Sequence, residues 1–158
     1  MVRVGVLLGI LFLVMVPALL ASSPRSIQVH TAAGEMVWCT SVDQNDSVQL
    51  QFTHSMYGGY VREQWKVTPN NQLQRVRFVT QNAAAAEYYA TDGTSYRAED
   101  GFVVPADPLQ QPELIVRVND RGNHVLSTDD DTAHLAELIP NSTQVRIAVM
   151  AESCDHES

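Results

Sequence analysis

The sequence predicts an all-β domain, mainly an antiparallel sandwich or a barrel-like sheet, with one short α-helix near the C-terminus. Apolar and polar residues alternate along many short segments, and turn-forming residues separate these segments at regular intervals. Period-two alternation is typical of strands with one buried face. Regularly spaced short strands are typical of sandwiches and barrels.

The length and the charge limit the class of protein. The chain has 158 residues, which fits one domain, and 45% of them are hydrophobic while 18% are charged, which argues against intrinsic disorder. Ten Lys and Arg stand against eighteen Asp and Glu, a net charge of −8, and the basic residues form no cluster. This balance disfavours nucleic acid as a partner, because phosphates require a basic face.

The first element is an uncharged apolar stretch over residues 4–21, preceded by Arg3. It is slightly longer than the apolar part of a secretory signal and close to the length that spans a bilayer. We therefore divide the chain into residues 1–23, a signal peptide or N-terminal membrane anchor, and residues 24–158, a single exported β domain. Arg3 predicts an N-terminus left in the cytoplasm. The domain is then expected in the periplasm, anchored in the inner membrane by residues 4–21, or secreted if that segment is cleaved.

Ten segments of the exported domain have the strand pattern, and each is bounded by turn residues such as Asp92-Gly93 or Pro140-Asn141. Residues 83–86 are four alanines that fit either a helical turn or a close crossing of backbones. The predicted strands are 27–31, 36–40, 48–54, 60–67, 72–80, 95–98, 101–104, 114–118, 124–127 and 144–150.

The short helix is predicted over Asp130–Leu138. Thr128 and Asp131 have the spacing of a capping box, and the acidic run 129–131 suits the positive N-terminus of a helix. Three consecutive Asp residues could also suggest calcium, but the glycine and the distal glutamate of an EF-hand loop do not follow. We therefore predict no metal site and no cofactor here.

The sharpest local pattern is a hairpin around Gly58-Gly59. Two glycines between alternating strands fit a two-residue turn in which both residues have positive φ. The directly opposed residues then have numbers that sum to 117, so His54 faces Glu63 on the apolar face. Ser55 points to the opposite face.

A buried His–Glu pair has either a functional or a structural interpretation. It can act as a general base, a ligand contact or a pH-sensitive pair, or it can simply fix the strand register. We take His54, Glu63 and Ser55 as candidates for ligand or partner binding. No catalytic residue is assigned, because the chain has no GxSxG, HExxH or phosphate-loop motif, and its five histidines lack metal-ligand spacing.

The two cysteines, Cys39 and Cys154, lie near the two ends of the exported domain. In an oxidising compartment such a pair can form a disulfide, so we predict this bond. Two independent free thiols are the alternative.

The run Phe52-Thr-His-Ser55, followed by Glu63, resembles the opening motif of domain-of-unknown-function family 1850, a family of small exported bacterial proteins. Similar segments follow in order until the last strand, so that the resemblance extends over residues 27–150. They are Pro112–Arg117, Asn123–Leu126, Leu135–Leu138 and Val145–Val149.

Members of the family often look like neighbours of tripartite ATP-independent periplasmic (TRAP) transporters. The resemblance therefore implies an association with a transporter of this type. The expected function is that of an exported accessory or binding module of such a transporter, more an interaction protein than an enzyme. Its expected partners are transporter membrane subunits or a solute-binding receptor, and its link to the membrane is the N-terminal segment. The alternative is a hydrolase-like enzyme with His54 as base and Glu63 orienting it.

Overall fold

A computed structural model describes residues 23–90, 93–105 and 110–154, so all but Ser23 of the predicted leader lies outside the described residues. The described residues are mostly strands, which confirms the all-β prediction, although β8, β11 and α1 add to the elements predicted. In chain order the elements are β1 (Ser26–Thr31), β2 (Met36–Ser41), β3 (Ser47–Thr53), β4 (Tyr60–Val67), β5 (Leu73–Thr80), α1 (Ala83–Tyr89), β6 (Tyr96–Ala98), β7 (Gly101–Pro105), β8 (Gln110–Gln111), β9 (Glu113–Val118), β10 (Val125–Ser127), β11 (Thr132–His134), α2 (Leu135–Leu138) and β12 (Thr143–Met150).

The strands form two antiparallel sheets that pack face to face as a sandwich. The smaller sheet has the order β2-β1-β12-β9, and the larger has the order β11-β10-β3-β4-β5-β7-β6, with β8 paired to β5. Both sheets contribute buried side chains to one main core, among them Ile27 and Ile147 from the smaller sheet and Leu50 and Trp65 from the larger. Neither sheet closes into a barrel.

The smaller sheet covers only part of the inner face of the larger one. Helix α1 covers another part, where Ala86 packs with Val61, Phe78 and Val104 in a second apolar cluster. Strand β9 is the last strand of the smaller sheet, so its free edge runs beside the uncovered strip of the larger sheet. That strip is where the candidate site lies.

The alanine run that the sequence left undecided is helix α1. Alanine has the highest intrinsic helix propensity, and Asn82 before the run caps the helix. Its side-chain oxygen accepts hydrogen bonds from the backbone N–H groups of Ala84 and Ala85.

The second helix is shorter than predicted. Only Leu135–Leu138 is helical, and Thr132–His134, placed in the helix by the sequence, forms strand β11 against β10. The Thr128 hydroxyl accepts from the N–H groups of Asp130 and Asp131, which makes a local turn instead of a helix cap. Serine and threonine hydroxyls form such turns routinely, so the spacing of a capping box was misleading here.

The predicted disulfide is present between Cys39 of β2 and Cys154, which follows β12. It ties the segment 151–154 to the edge strand of the smaller sheet. A hydrogen bond from Gln28 Nε2 to Glu152 Oε1 adds to this attachment.

The predicted register of the central hairpin is wrong. Thr53 pairs with Tyr60 and Leu50 pairs with Glu63, so paired residue numbers sum to 113 instead of 117. The connection is the six-residue segment 54–59, in which Gly58 and Gly59 do have positive φ, +66° and +72°. A longer loop shifts the pairing by four residues, and an even shift keeps every side chain on its predicted face.

Candidate functional site

His54 lies in the β3–β4 turn and organises it. Its Nδ1 accepts hydrogen bonds from the backbone N–H groups of Met56 (3.1 Å) and Tyr57 (3.2 Å), so its ring proton is on Nε2. The side chain is buried and packs against the rings of Tyr57 and Tyr89. Ser55 follows it as an exposed residue of the same turn. The His54–Glu63 pair predicted from the hairpin is therefore not formed.

Glu63 lies on the inner face of the larger sheet, as its alternation with Val61 and Trp65 predicts. Its partners across the ladders are Leu50 on β3 and Phe78 on β5. A carboxyl group on this face is placed among apolar side chains, in the strip that neither the smaller sheet nor α1 covers.

Arg75 joins Glu63 on the inner face because β5 contains a β-bulge. Gln64 pairs with Arg77 and the next residue of β4, Trp65, pairs with Arg75, so that Val76 has no partner and is exposed. The extra residue reverses the alternation. Arg77 therefore lies on the outer face, where its Nε donates to Gln64 Oε1, while Arg75 lies beside Trp65.

These side chains line a cavity of about 290 Å³, here called the inner pocket. One wall is the inner face of β3, β4 and β5, and the opposite wall is the free edge of β9. Apolar and charged groups both face the space. The lining residues are Leu50, Phe52, Glu63, Trp65, Arg75, Gln111, Leu114, Ile115, Val116, Arg117 and His124.

A wider cavity of about 700 Å³, here called the outer groove, adjoins the inner pocket. His54, Ser55 and Tyr89 line it, together with the loop that precedes β10. Phe52, Arg117 and His124 line both cavities. The three binding candidates therefore belong to neighbouring cavities that share a wall, with Glu63 in the inner pocket and His54 and Ser55 in the outer groove.

The charge on Glu63 is disfavoured by its surroundings. Burial raises the pKa of its carboxyl group above the usual 4.5, and the positive charge of Arg75 only partly opposes this. The indole N–H of Trp65 also favours the carboxylate, although it makes no full hydrogen bond with any described atom. Burial and then the negative charge of Glu63 raise the pKa of Tyr89, which places α1 within electrostatic reach of the pocket.

His124 is held in the shared wall by close packing. Its ring stacks on Phe52, with ring centres 5.6 Å apart, and lies directly against Gly122. A Cβ atom on Gly122 would lie 2.1 Å from His124 Cε1, so only glycine fits there. Burial lowers the pKa of His124 below the usual 6.5 and keeps the ring neutral.

Three buried nitrogen atoms of the inner pocket have no hydrogen-bond partner among the described residues. They are Trp65 Nε1, Arg75 Nε and His124 Nδ1. Trp65 is only 2% exposed and His124 only 7%, so bulk water does not supply the missing hydrogen bonds of these two side chains. Buried polar groups in native proteins are nearly always hydrogen-bonded, so three such atoms on residues that line one cavity make this cavity the candidate site.

Sequence reasoning did not assign Arg75, Trp65 or His124 to the site. A signal for Arg75 was present: Leu73 and Phe78 both point inward although their residue numbers differ by an odd number, which requires a bulge between them. For His124 the sequence held a weaker signal, which is that a glycine, Gly122, lies two positions before it. Trp65 has the pattern of an ordinary core residue, and only the coordinates show its unpaired N–H.

Among residues 23–90, 93–105 and 110–154, no group of three or more His, Cys, Asp or Glu side chains is placed to hold a metal ion. None of the helices in that part of the chain has the length and hydropathy to cross a membrane.

Comparison with known families matches residues 48–135 to DUF1850, a domain of unknown function. The matched region runs from β3 to the first residue of α2 and contains every residue that lines the inner pocket. Strands β1, β2 and β12 and both cysteines lie outside it. No curated protein and no solved structure matches the chain.

Proposed function

Since this chain belongs to the DUF1850 family, we propose that it is a non-catalytic binding module of the cell envelope that serves a solute transporter. Its inner pocket would bind a small molecule, and its outer surface would contact transporter membrane subunits or a solute-binding receptor. The observation that carries this proposal is the pocket whose lining residues include three with a buried nitrogen atom that has no hydrogen-bond partner in the described part of the chain. Pockets that combine apolar walls with a few convergent polar groups are typical of small-molecule sites.

Export to the envelope is supported by two features. Residues 4–21 form an apolar stretch of the length used by signal peptides and membrane anchors. The Cys39–Cys154 disulfide fits an oxidising compartment, since such bonds are rare in the reducing cytosol.

Binding is favoured over hydrolysis by the geometry of His54. The hydrolase hypothesis requires Glu63 to orient the imidazole, but two backbone N–H groups of the turn already occupy His54 Nδ1. Ser55 is exposed in that same turn, which follows β3 directly. The proposed transporter link is supported by the family resemblance.

The proposal is tested in the bacterium that encodes the protein. Deleting the gene should lower uptake of the solute carried by the transporter, and the wild-type gene should restore it. Arg75→Gln should fail to restore uptake, whereas Arg77→Gln should succeed, because it removes the same charge from the outer face of the same strand. Uptake that is unchanged by the deletion, for every transporter of the TRAP type in that organism, would contradict the proposal.

A further inference from the structure

The inner pocket has more unsatisfied donors than acceptors. Arg75 Nε and Trp65 Nε1 can only donate hydrogen bonds, and the neutral ring of His124 can donate from Nδ1 in one of its tautomers. Each buried polar atom left unpaired costs about 1–3 kcal/mol. A molecule that fills the space should therefore present several acceptor oxygens towards these nitrogens.

The charges in the pocket favour an anion. Arg75 and Arg117 both line it, and neither takes part in an ion pair among the described residues. Glu63 is the only carboxyl group among the described lining residues, and burial disfavours its charged form although Arg75 lies close enough to oppose this. The described lining thus holds two guanidinium groups against one carboxyl group, which leaves it with a net positive charge.

The walls and the size select among anions. Leu50, Phe52, Leu114 and Val116 are among the lining residues, so a hydrocarbon group can contact apolar side chains on one side of the pocket. The volume of about 290 Å³ lies just below the range for small-molecule sites, roughly 300–1,000 Å³, which favours a small ligand. The guanidinium group matches the two oxygens of a carboxylate in a bidentate arrangement.

We propose that the inner pocket binds a short-chain carboxylate, with the carboxylate group on Arg75 and Trp65 and the hydrocarbon part against β3 and β9. His124 lies in the wall beside this group, and Arg117 closes the side that faces the outer groove. This inference rests on the proposed function, because it names the chemical class of the molecule that the binding module holds.

The experiment uses the full chain, purified in detergent, with Trp38→Phe as background so that Trp65 is its only tryptophan. Tryptophan fluorescence is followed during titration with butyrate, with the neutral analogue butyramide, and with inorganic phosphate. A saturable change is expected with butyrate, and binding should be at least about tenfold weaker for the other two, since Arg75 recognises charge and Leu114 and Val116 recognise hydrocarbon.

Variants assign the effect to the pocket. Arg75→Gln should weaken butyrate binding about tenfold or more, and Arg117→Gln should weaken it less, since its side chain is exposed. Arg77→Gln is the matched control and should leave the affinity within about twofold. Circular dichroism identifies any variant that fails to fold. If Arg75→Gln does not fold, Arg75→Lys is used instead, because it keeps the charge but loses the bidentate geometry.

The carboxylate assignment is overturned if butyramide binds as tightly as butyrate, if butyrate produces no saturable change, or if substitution of Arg75 and of Arg117 leaves its affinity unchanged. The transport experiment separates this failure from failure of the proposed function. If butyrate does not bind to the protein but Arg75→Gln still fails to restore uptake, the same pocket binds a ligand of another class. Carboxylate binding without a transport defect would uphold this inference and remove the transporter link.

Discussion

Arg75 and Arg77 lie on opposite faces of the larger sheet although a single residue separates them. In a regular strand, residues two positions apart share a face. The unpaired Val76 between them breaks this rule, so Arg75 faces the inner pocket beside Trp65 and Arg77 bonds Gln64 on the outer face. A β-bulge thereby places a guanidinium group on the mostly apolar inner face that also carries Glu63, and bulges are frequent beside functional sites.

Deleting Val76 should preserve the fold, because the shortened strand would alternate regularly and keep Leu73, Arg75 and Phe78 inward. Deleting Gln74 should also let the strand alternate regularly with Leu73 and Phe78 inward, but it should turn Arg75 outward and Val76 inward. Urea denaturation should find both variants folded, and butyrate binding should survive only the deletion of Val76. Loss of the fold in both deletions would show that the bulge itself is required for folding.

Much of the fold could be predicted from the sequence because each strand carries its own alternation and each turn its own residues. The register of the β3–β4 hairpin could not, since a two-residue turn and a six-residue turn leave the same residues on each face. The inner pocket could not be predicted either. It depends on where the smaller sheet ends and α1 begins, which is decided by packing between segments distant in the chain.

The Cys39–Cys154 bond should be a major source of stability. It joins residues 115 positions apart, and removing a native disulfide from a small exported domain costs about 2–5 kcal/mol. We expect the double variant Cys39→Ala/Cys154→Ala to melt well below the wild type in differential scanning calorimetry. Reductant should lower the melting temperature of the wild type and leave that of the double variant unchanged. A response of both proteins to reductant would mean that the effect does not come from this bond.

His54 should contribute to stability as an acceptor in the turn. His54→Ala removes the partner of two backbone N–H groups and should cost about 1–2 kcal/mol. His54→Asn should cost less, because an asparagine oxygen accepts from backbone N–H groups two and three residues ahead. Chemical denaturation of the two variants compares them. If asparagine were no better than alanine, the ring contacts with Tyr57 and Tyr89 would be the main contribution instead.

Gly122 should be required for full stability because the His124 ring lies directly against it. The φ of Gly122 is not in the left-handed region, so Gly122→Ala acts through the close contact with the ring, and we expect a cost of about 1–3 kcal/mol. In the double variant Gly122→Ala/His124→Ala the ring is absent, and the additional cost of the alanine methyl group should largely disappear. A double-mutant cycle then gives a coupling energy of about 1 kcal/mol or more. Additive effects would place the cost of Gly122→Ala elsewhere.

The raised pKa of Glu63 should lower stability towards neutral pH. Between the usual pKa of 4.5 and the raised value, the folded protein holds a proton that the unfolded chain has lost, so the free energy of unfolding falls as pH rises. His124 has the opposite effect. Its lowered pKa means that the unfolded chain binds more protons below pH 6.5, so acid reduces stability through this residue.

Glu63→Gln should therefore be more stable than the wild type at neutral pH, and the difference should shrink as pH falls towards 4.5. Thermal denaturation of both proteins across this range measures it. Repeating the comparison in a His124→Gln background removes the opposing contribution of the imidazole, so that the remaining slope belongs to Glu63. A wild type that stays as stable as Glu63→Gln at neutral pH would mean that Arg75 and Trp65 fully offset the cost of burying the Glu63 carboxylate.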